Sequence, residues 1–232
     1  MFFFRKRKAD QLAVEAVQHI SVEGDTSKIR GSITANGSGC RVIFPERPLA
    51  SNVIVRLTGD NAVIDLSGLA TANSIKVTAT NGGHLHVGKG TTLVSASFVI
   101  DREAILIGAD CMFSFDIVLR NTDAHAIYDI ETGKRTNPPA AIRIEDHVWI
   151  GQEVLVGKGA EIGCGSIIGA RSFVANTKVP NNSVAAGTPA KVIRSGVIWD
   201  RFAAENMYAE NAKLHPTLRK NLKKWARSQG YT

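Results

Sequence analysis

Residues 144–192 read IEDHVWIGQEVLVGKGAEIGCGSIIGARSFVANTKVPNNSVAAGTPAKV, and in most of this stretch an aliphatic residue recurs at every sixth position. Seven of the nine residues at this spacing are Ile or Val, and Gly follows the recurring residue five times. Helices repeat near every 3.6 residues and strands near every two, so neither period produces a six. Six-residue repeats are typical of a β-helix of hexapeptides, three to a coil, with the aliphatic residue inward. A run of hairpins in a sandwich is the alternative, which nine successive registers disfavour. The nine positions are Ile144, Ile150, Val156, Ile162, Ile168, Val174, Pro180, Ala186 and Val192.

The spacing continues upstream of this stretch and is interrupted at two places. Inward residues are predicted at every sixth position from Val87, and again from Ile107, which lies two residues later than the spacing would place it. His125 occupies the next inward position, but it lies nineteen residues before Ile144, one more than three hexads. The excess predicts a loop over residues 126–143 that leaves the body of the β-helix. Long loops in compact repeats are commonly functional.

The first twenty residues are predicted to form a separate, partly helical segment. Leu12, Ala16 and Ile20 fall on one face of a short amphipathic helix over residues 9–20. Before it, aromatic residues precede a basic run, which is the reverse of the order in a secretory signal peptide. We therefore expect at most a peripheral membrane contact, and no stretch is long enough to span a bilayer.

Residues 21–195 are predicted to form the all-β domain, a parallel β-helix. Residues 28–80 are rich in Val, Ile, Thr and Asn but hard to phase, so they are interpreted as irregular first coils. An extra sheet packed on the helix is the alternative. Residues 196–232 are predicted to form a helical extension, a cap on the open end of the stack.

The composition indicates a single cytoplasmic domain of 232 residues. Cys40, Cys111 and Cys164 have neither metal-binding nor redox spacing, so we expect reduced thiols, and Cys111 and Cys164 are interpreted as packing residues within hexads. The net charge is +7, but no helix-turn-helix, zinc-finger or RNP pattern accompanies it, and we expect no nucleic-acid partner. A phosphorylated cofactor or an acidic glycan explains the positive charge equally well.

Several motifs resemble one enzyme family. DHVWIG at residues 146–151 and AAGTPAKVIR at 185–194 resemble the left-handed β-helix acyltransferases. CMFSF at 111–115 and RNTDAHAIYD at 120–129 narrow the resemblance to bacterial O-acetyltransferases of capsular and other surface polysaccharides, including polysialic acid O-acetyltransferases. The resemblance implies a left-handed β-helix, assembled as a homotrimer with active sites between subunits. It also implies transfer of an acetyl group from acetyl-CoA to a glycan hydroxyl.

The resemblance makes His125 the general base. Imidazole suits removal of a hydroxyl proton at neutral pH, although a turn histidine is the alternative reading. Trp149, 24 residues later, would lie against the cofactor or the acceptor, and its indole N–H or a backbone amide would donate to the oxyanion. An aromatic side chain packed in a subunit interface is the alternative reading of Trp149. Asp123 or Asp129 would orient the imidazole or bind the acceptor; for Asp123 a turn cap is the alternative. Direct transfer without a covalent enzyme intermediate is implied.

The resemblance also predicts the acetyl-CoA groove. Gly169 and Ala170 would let the pantetheine arm approach the backbone, and the groove would continue along Gly187 and Thr188. Trp149 would line it as well. Cations would meet the phosphate groups, because phosphate oxygens are strong acceptors. These cations are Lys178, Lys191 and Arg194.

Three alternatives to a polysaccharide O-acetyltransferase remain open at the level of sequence. An acetyltransferase acting on an amino sugar, serine or an antibiotic would use the same machinery. A γ-class carbonic anhydrase would need three zinc-binding histidines, but His84 and His86 form only a pair, so no metal is expected. A non-catalytic β-helix scaffold would need neither His125 nor acetyl-CoA.

Overall fold

The computed structural model describes residues 11–201, where the regular structure consists of β-strands. Within these residues there is no helix with the length and apolarity needed to cross a membrane. The strands are β1 (Leu12–Ala16), β2 (Ser21–Glu23), β3 (Ile29–Ala35), β4 (Arg41–Ile43), β5 (Ser51–Thr58), β6 (Val63–Asp65), β7 (Leu69–Thr80), β8 (His84–Val87), β9 (Thr91–Asp101), β10 (Ala104–Ile107), β11 (Met112–Phe113), β12 (Ile117–Arg120), β13 (Ile142–Ile144), β14 (Trp149–Ile150), β15 (Leu155–Gly157), β16 (Glu161–Ile162), β17 (Ile167–Ile168), β18 (Phe173–Val174), β19 (Lys178–Val179), β20 (Ser183–Gly187) and β21 (Ala190–Ser195).

Successive coils stack their strands in parallel on three faces. Face one holds β11, β14, β17 and β20, face two holds β12, β15 and β18, and face three is an eight-stranded sheet from β2 to β19. In the earlier coils β3, β5, β7 and β9 each cross faces one and two as one long strand. Trp149 pairs with Ile167 and Ile150 with Ile168, so a coil here takes eighteen residues, or three hexads.

The predicted aliphatic stack forms the core of the last coils. From Ile144 to Val174 every sixth residue is buried, with at most 3% of its surface exposed. The three hexads of each coil place one aliphatic side chain on each face, and the next coil covers it. At about 25 cal/mol per Å² of apolar surface removed from water, this repeated burial is the main favourable contribution to stability.

The last three predicted inward positions are wrong. After Val174 the inward positions that continue the spacing are the buried Val179 and Ala185, so one hexad has lost a residue. The turn between β18 and β19 is short, and the hydroxyl of Thr177 closes it by donating to the Ala175 carbonyl. Val192 is 43% exposed, because β21 leaves the stack and pairs antiparallel with β20.

Residues 28–80 belong to the same stack, which confirms that they are its first coils. Ile29 pairs with Ser51, and Asn52 pairs with Ser74, so these coils take twenty-two residues each. The long strands lack the turn between faces one and two that marks the later hexads. The six-residue spacing is therefore hidden in this part of the sequence.

The predicted N-terminal helix is wrong within the described residues. Leu12–Ala16 form strand β1, which pairs in parallel with β3. Leu12 and Ile20 pack against the core from an extended chain, and β1 covers a strand edge that the first coil would otherwise expose. The predicted membrane-contacting residues at the N-terminus and nearly all of the C-terminal cap lie outside the described residues.

Candidate active site

A long loop leaves the stack at the corner between faces two and three. It runs over residues 121–141, because β12 ends at Arg120 and β13 begins at Ile142. The loop starts five residues earlier than the predicted 126–143. His125 is therefore not an inward position of a coil, and its side chain is exposed.

Two contacts close the base of this loop. The backbone N–H of Ala140 donates to the carbonyl of Asn121 at 3.1 Å, which joins the two ends of the loop. The buried side chain of Asn121 accepts from the N–H of Asp101 and donates to the carbonyl of Glu103, both at 2.8 Å. The loop is thus tied to the preceding coil, since a buried amide of this kind is costly to leave unpaired.

A second buried amide, that of Asn137, organises the inside of the loop. Its Nδ2 group donates to the carboxylate of Asp123 at 2.9 Å and to the backbone carbonyl of His125 at 2.8 Å. Its Oδ1 atom accepts from the backbone N–H of Ile127 at 2.6 Å. One side chain therefore holds three positions of the loop, Asp123, His125 and Ile127, at and around the predicted base.

Asp123 receives its strongest contact from the next coil. The Lys158 ammonium, in the turn after β15, lies 2.6 Å from the Asp123 carboxylate. Hydrogen bonds from Lys158 and then from Asn137 lower the pKa of Asp123. Among the described residues, the carboxylate has no hydrogen bond to the His125 ring. The structure thus places Asp123 in the scaffold of the loop, and orientation of the imidazole by Asp123 stays a prediction.

His125 combines a fixed backbone with an accessible ring. Its N–H donates to the carbonyl of Asp123 at 2.8 Å, and its own carbonyl accepts from Asn137. Ala124 between them adopts a left-handed conformation with φ of 65°, which costs a non-glycine residue ~1 kcal/mol. The surrounding contacts hold this conformation and present the imidazole outward, where a substrate can reach it.

The tip of the loop is apolar and exposed. Asp129 accepts from the N–H and the hydroxyl of Thr132, both at 2.7 Å, so it closes the turn at the tip. Ile127 and Tyr128 are mostly exposed, and Ile130 is 99% exposed. Asp129 thus has a structural role, and the apolar residues beside it have no cover within the described part of this chain.

Trp149 lies on a different part of the surface from His125. It is 38% exposed on β14, in face one, between Met112 and Ile167 of the neighbouring coils. The His125 loop leaves from the far edge of face two. A single chain therefore does not bring the two predicted catalytic residues to the same corner.

The structure brings four of the predicted cofactor residues to one corner. Gly169 and Ala170 follow β17, and Gly187 and Thr188 lie at the same corner one coil later. Thr188 donates through its hydroxyl to the Arg171 carbonyl, while the N–H of Gly187 donates to Ser172. Gly169 is also needed for stacking, because a Cβ atom there would lie 2.9 Å from the Cβ of Ala186.

The three predicted phosphate-binding cations are not together. Lys191 and Arg194 are exposed on β21, opposite Ala186 and Val184 of β20. They belong to the same hairpin as Gly187. Lys178 is on face three and forms an ion pair with Glu161 at 3.3 Å, away from this corner.

No protein-family model matches the chain, but individual proteins do. The chain is 31% identical over 183 residues to the polysialic acid O-acetyltransferase of Neisseria meningitidis, covering 78% of this chain and 80% of that protein. The chain belongs to the hexapeptide-repeat polysaccharide O-acetyltransferases.

Two further similarities support membership in these O-acetyltransferases. The polysialic acid O-acetyltransferase of Escherichia coli O1:K1 / APEC is 44% identical over 127 residues, which span 54% of this chain and only 41% of that protein. The crystal structure of the polySia-specific acetyltransferase NeuO matches with a TM-score of 0.78 at 30% identity, covering 93% of this chain and 99% of that one. The predicted left-handed β-helix is confirmed by this match.

Asn121, Asn137 and Lys158 organise the loop around His125, and sequence reasoning missed all three. The available signal was weak: a lysine between two glycines, Gly157 and Gly159, in an otherwise apolar hexad, and two asparagines in the loop. Their importance comes from contacts between coils, which the order of residues does not reveal.

The paired histidines of β8 have an ordinary structural setting in this O-acetyltransferase. His86 contacts the carboxylate of Asp65 through Nδ1 at 2.9 Å, and His84 is exposed on the same strand. Within residues 11–201 no group of three or more potential ligands is placed to hold a metal ion.

Proposed function

We propose that this protein transfers the acetyl group of acetyl-CoA to a hydroxyl of a sialic-acid-containing surface polysaccharide. The observation that carries the proposal is the 31% identity to the Neisseria meningitidis polysialic acid O-acetyltransferase over four fifths of that protein. The net charge of +7 suits a polyanionic acceptor.

His125 is the general base in this proposal. It accepts the proton of the acceptor hydroxyl as that oxygen attacks the acetyl carbonyl, and it returns the proton to the departing thiolate. The exposed ring on a backbone held from both sides supports this role, because a general base must be positioned as well as basic. Trp149 lines the site, with its indole against the acceptor or the acetyl donor.

The proposed acetyl-CoA groove runs along the corner formed by Gly169, Ala170, Gly187 and Thr188. Small side chains at this corner leave the backbone accessible to the pantetheine arm. Lys191 and Arg194 lie on the adjoining hairpin and would bind the phosphate groups. Because Lys178 lies on face three, it would contact the phosphate groups of acetyl-CoA only in a groove that a neighbouring subunit helps to form.

We propose a homotrimer with active sites between subunits. The separation of His125 from Trp149 within one chain supports this arrangement, since the loop of one subunit would approach face one of the next. The exposed apolar tip at Ile127, Tyr128 and Ile130 supplies surface that such a contact would bury. A mass measurement in solution tests the assembly directly.

The decisive experiment follows thiol release from acetyl-CoA with α2,8-linked sialic acid oligomers, neutral oligosaccharides and small sugars as acceptors. We expect turnover with the sialic acid oligomers, and its loss in His125→Ala. His84→Ala is the matched control, because this exposed histidine lies on face three. Turnover with small sugars alone would indicate that the acceptor is a small molecule and not the polymer. No thiol release with any acceptor would contradict the proposal.

A further inference from the structure

Lys158 is unusual among the lysines of the β-helix because its side chain is only 16% exposed. Lysine is rarely buried unless its charge is paired. Its backbone is built into the stack: the Lys158 carbonyl accepts from Asn176, and the N–H of Gly159 donates to Ala141 at the end of the loop. The position of its ammonium group is therefore set by the coil below the loop.

A continuous series of contacts connects this ammonium group to His125. Lys158 Nζ contacts Asp123 Oδ2 at 2.6 Å, and the same oxygen accepts from Asn137 Nδ2 at 2.9 Å. Asn137 in turn donates to the His125 carbonyl at 2.8 Å. The carbonyl of Asp123 also accepts from the N–H of His125. We call Lys158, Asp123 and Asn137 the loop clamp.

We propose that Lys158 is a positioning residue for the catalytic base: through the loop clamp it fixes the backbone of His125 against the β-helix. This inference rests on the proposed role of His125. Both polar groups of the His125 backbone are held, so the ring moves only through its own side-chain torsions. Catalytic groups need placement within about 0.5 Å, and a displacement of about 1 Å lowers rates by up to about 100-fold.

Lys158 also keeps the charge of Asp123 compensated. Without the ammonium group, the carboxylate would keep the Asn137 contact but lose its charged partner, and it would turn toward water. Since Asn137 contacts both Asp123 and His125, this movement would be transmitted to the backbone of the base. The acetyl-CoA corner at Gly169 lies at the other edge of face two and should be unaffected.

The test measures kcat and the KM for acetyl-CoA in Lys158→Met, which keeps the length of the side chain and removes its charge. We expect kcat to fall about tenfold or more and the KM to stay within about twofold. Lys158→Arg should recover most of the rate. Lys76→Met, at an exposed position on β7, is the matched control for the same substitution.

A second variant separates positioning from loss of structure. In Lys158→Met/Asp123→Asn no unpaired charge remains, and Asn at position 123 can still accept from Asn137. If both residues act through one clamp, the double variant should be no slower than Lys158→Met alone. If Lys158→Met does not assemble, the double variant is compared with wild type instead: a lowered kcat with an unchanged KM is expected, and a wild-type kcat would overturn the inference.

Unchanged kcat in Lys158→Met, or a raised KM with unchanged kcat, would overturn the inference. A double variant slower than Lys158→Met alone would overturn it as well. These outcomes are distinct from failure of the proposed function, which is tested by His125→Ala. A fully active His125→Ala refutes the base itself, whereas an inactive His125→Ala beside a fully active Lys158→Met refutes only the positioning role.

Discussion

Replacing Asn137 by Ala is expected to slow acetyl transfer while the β-helix stays folded. The side chain makes three short hydrogen bonds, at 2.9, 2.8 and 2.6 Å, to Asp123, His125 and Ile127, and accepts a longer one from Arg135 at 3.4 Å. Each contributes about 1 kcal/mol net, and the one to the carboxylate about 2 kcal/mol. Because these three partner residues are exposed, water can replace part of the lost hydrogen bonding in the variant, so the net loss of free energy is about 2 kcal/mol. If that energy holds the productive loop conformation, kcat falls by about 30-fold.

The assay for Asn137→Ala is thiol release under saturating acetyl-CoA and acceptor, together with thermal unfolding. The unfolding temperature should change little, because the loop lies outside the aliphatic stack. Asn73→Ala, at an exposed position, is the control. A kcat within twofold of wild type, in the same preparation in which His125→Ala is inactive, would refute the claim that Asn137 sets the loop geometry.

Three further predictions concern the core, the acid response and the thiols. Ile150→Ala should lower the free energy of unfolding by about 3 kcal/mol, measured by denaturant titration, because Ile150 is fully buried in the stack. The pKa of Asp123 is lowered by its hydrogen bond from Lys158, so the contact stabilises the folded loop above the ordinary carboxyl pKa of about 3.9 and is lost as the pH falls through the lower folded value. Proteolysis of the loop between pH 6 and 3 should therefore increase only at the acidic end, whereas Lys158→Met, which lacks the contact at every pH, should already be cleaved faster at pH 6. Burial raises the pKa of Cys111 to about 12, so alkylation followed by mass spectrometry should label this thiol only after unfolding.

The aliphatic stack could be predicted from the sequence because its period is simple and local. Every inward residue from Ile144 to Val174 follows from the six-residue spacing, since neither a helix nor a flat strand repeats in that way. The prediction failed at Val179, where a turn one residue shorter shifted the register. It also failed at Leu12–Ala16, whose apolar spacing fits a helix but whose backbone pairs with β3. Pairing with a distant strand outweighs a weak local preference.

The candidate site was predictable only where a motif carries the chemistry. His125 and Trp149 were found through their motifs, and the structure leaves both exposed. The loop clamp was not predictable, because Lys158 is 35 residues from Asp123 and meets it only when two coils stack. Asn137 looks like an ordinary loop residue until its burial and its hydrogen bonds to Asp123, His125 and Ile127 are known.

The central claim, acetyl transfer with His125 as the base, is tested most directly by radiolabelled acetyl transfer to an α2,8-linked sialic acid oligomer. Wild type and His125→Ala are compared at matched concentration, with the mass of the assembly measured for both. We predict label in the oligomer with wild type, and loss of transfer in His125→Ala at unchanged assembly mass. Equal transfer by the two proteins would contradict the account.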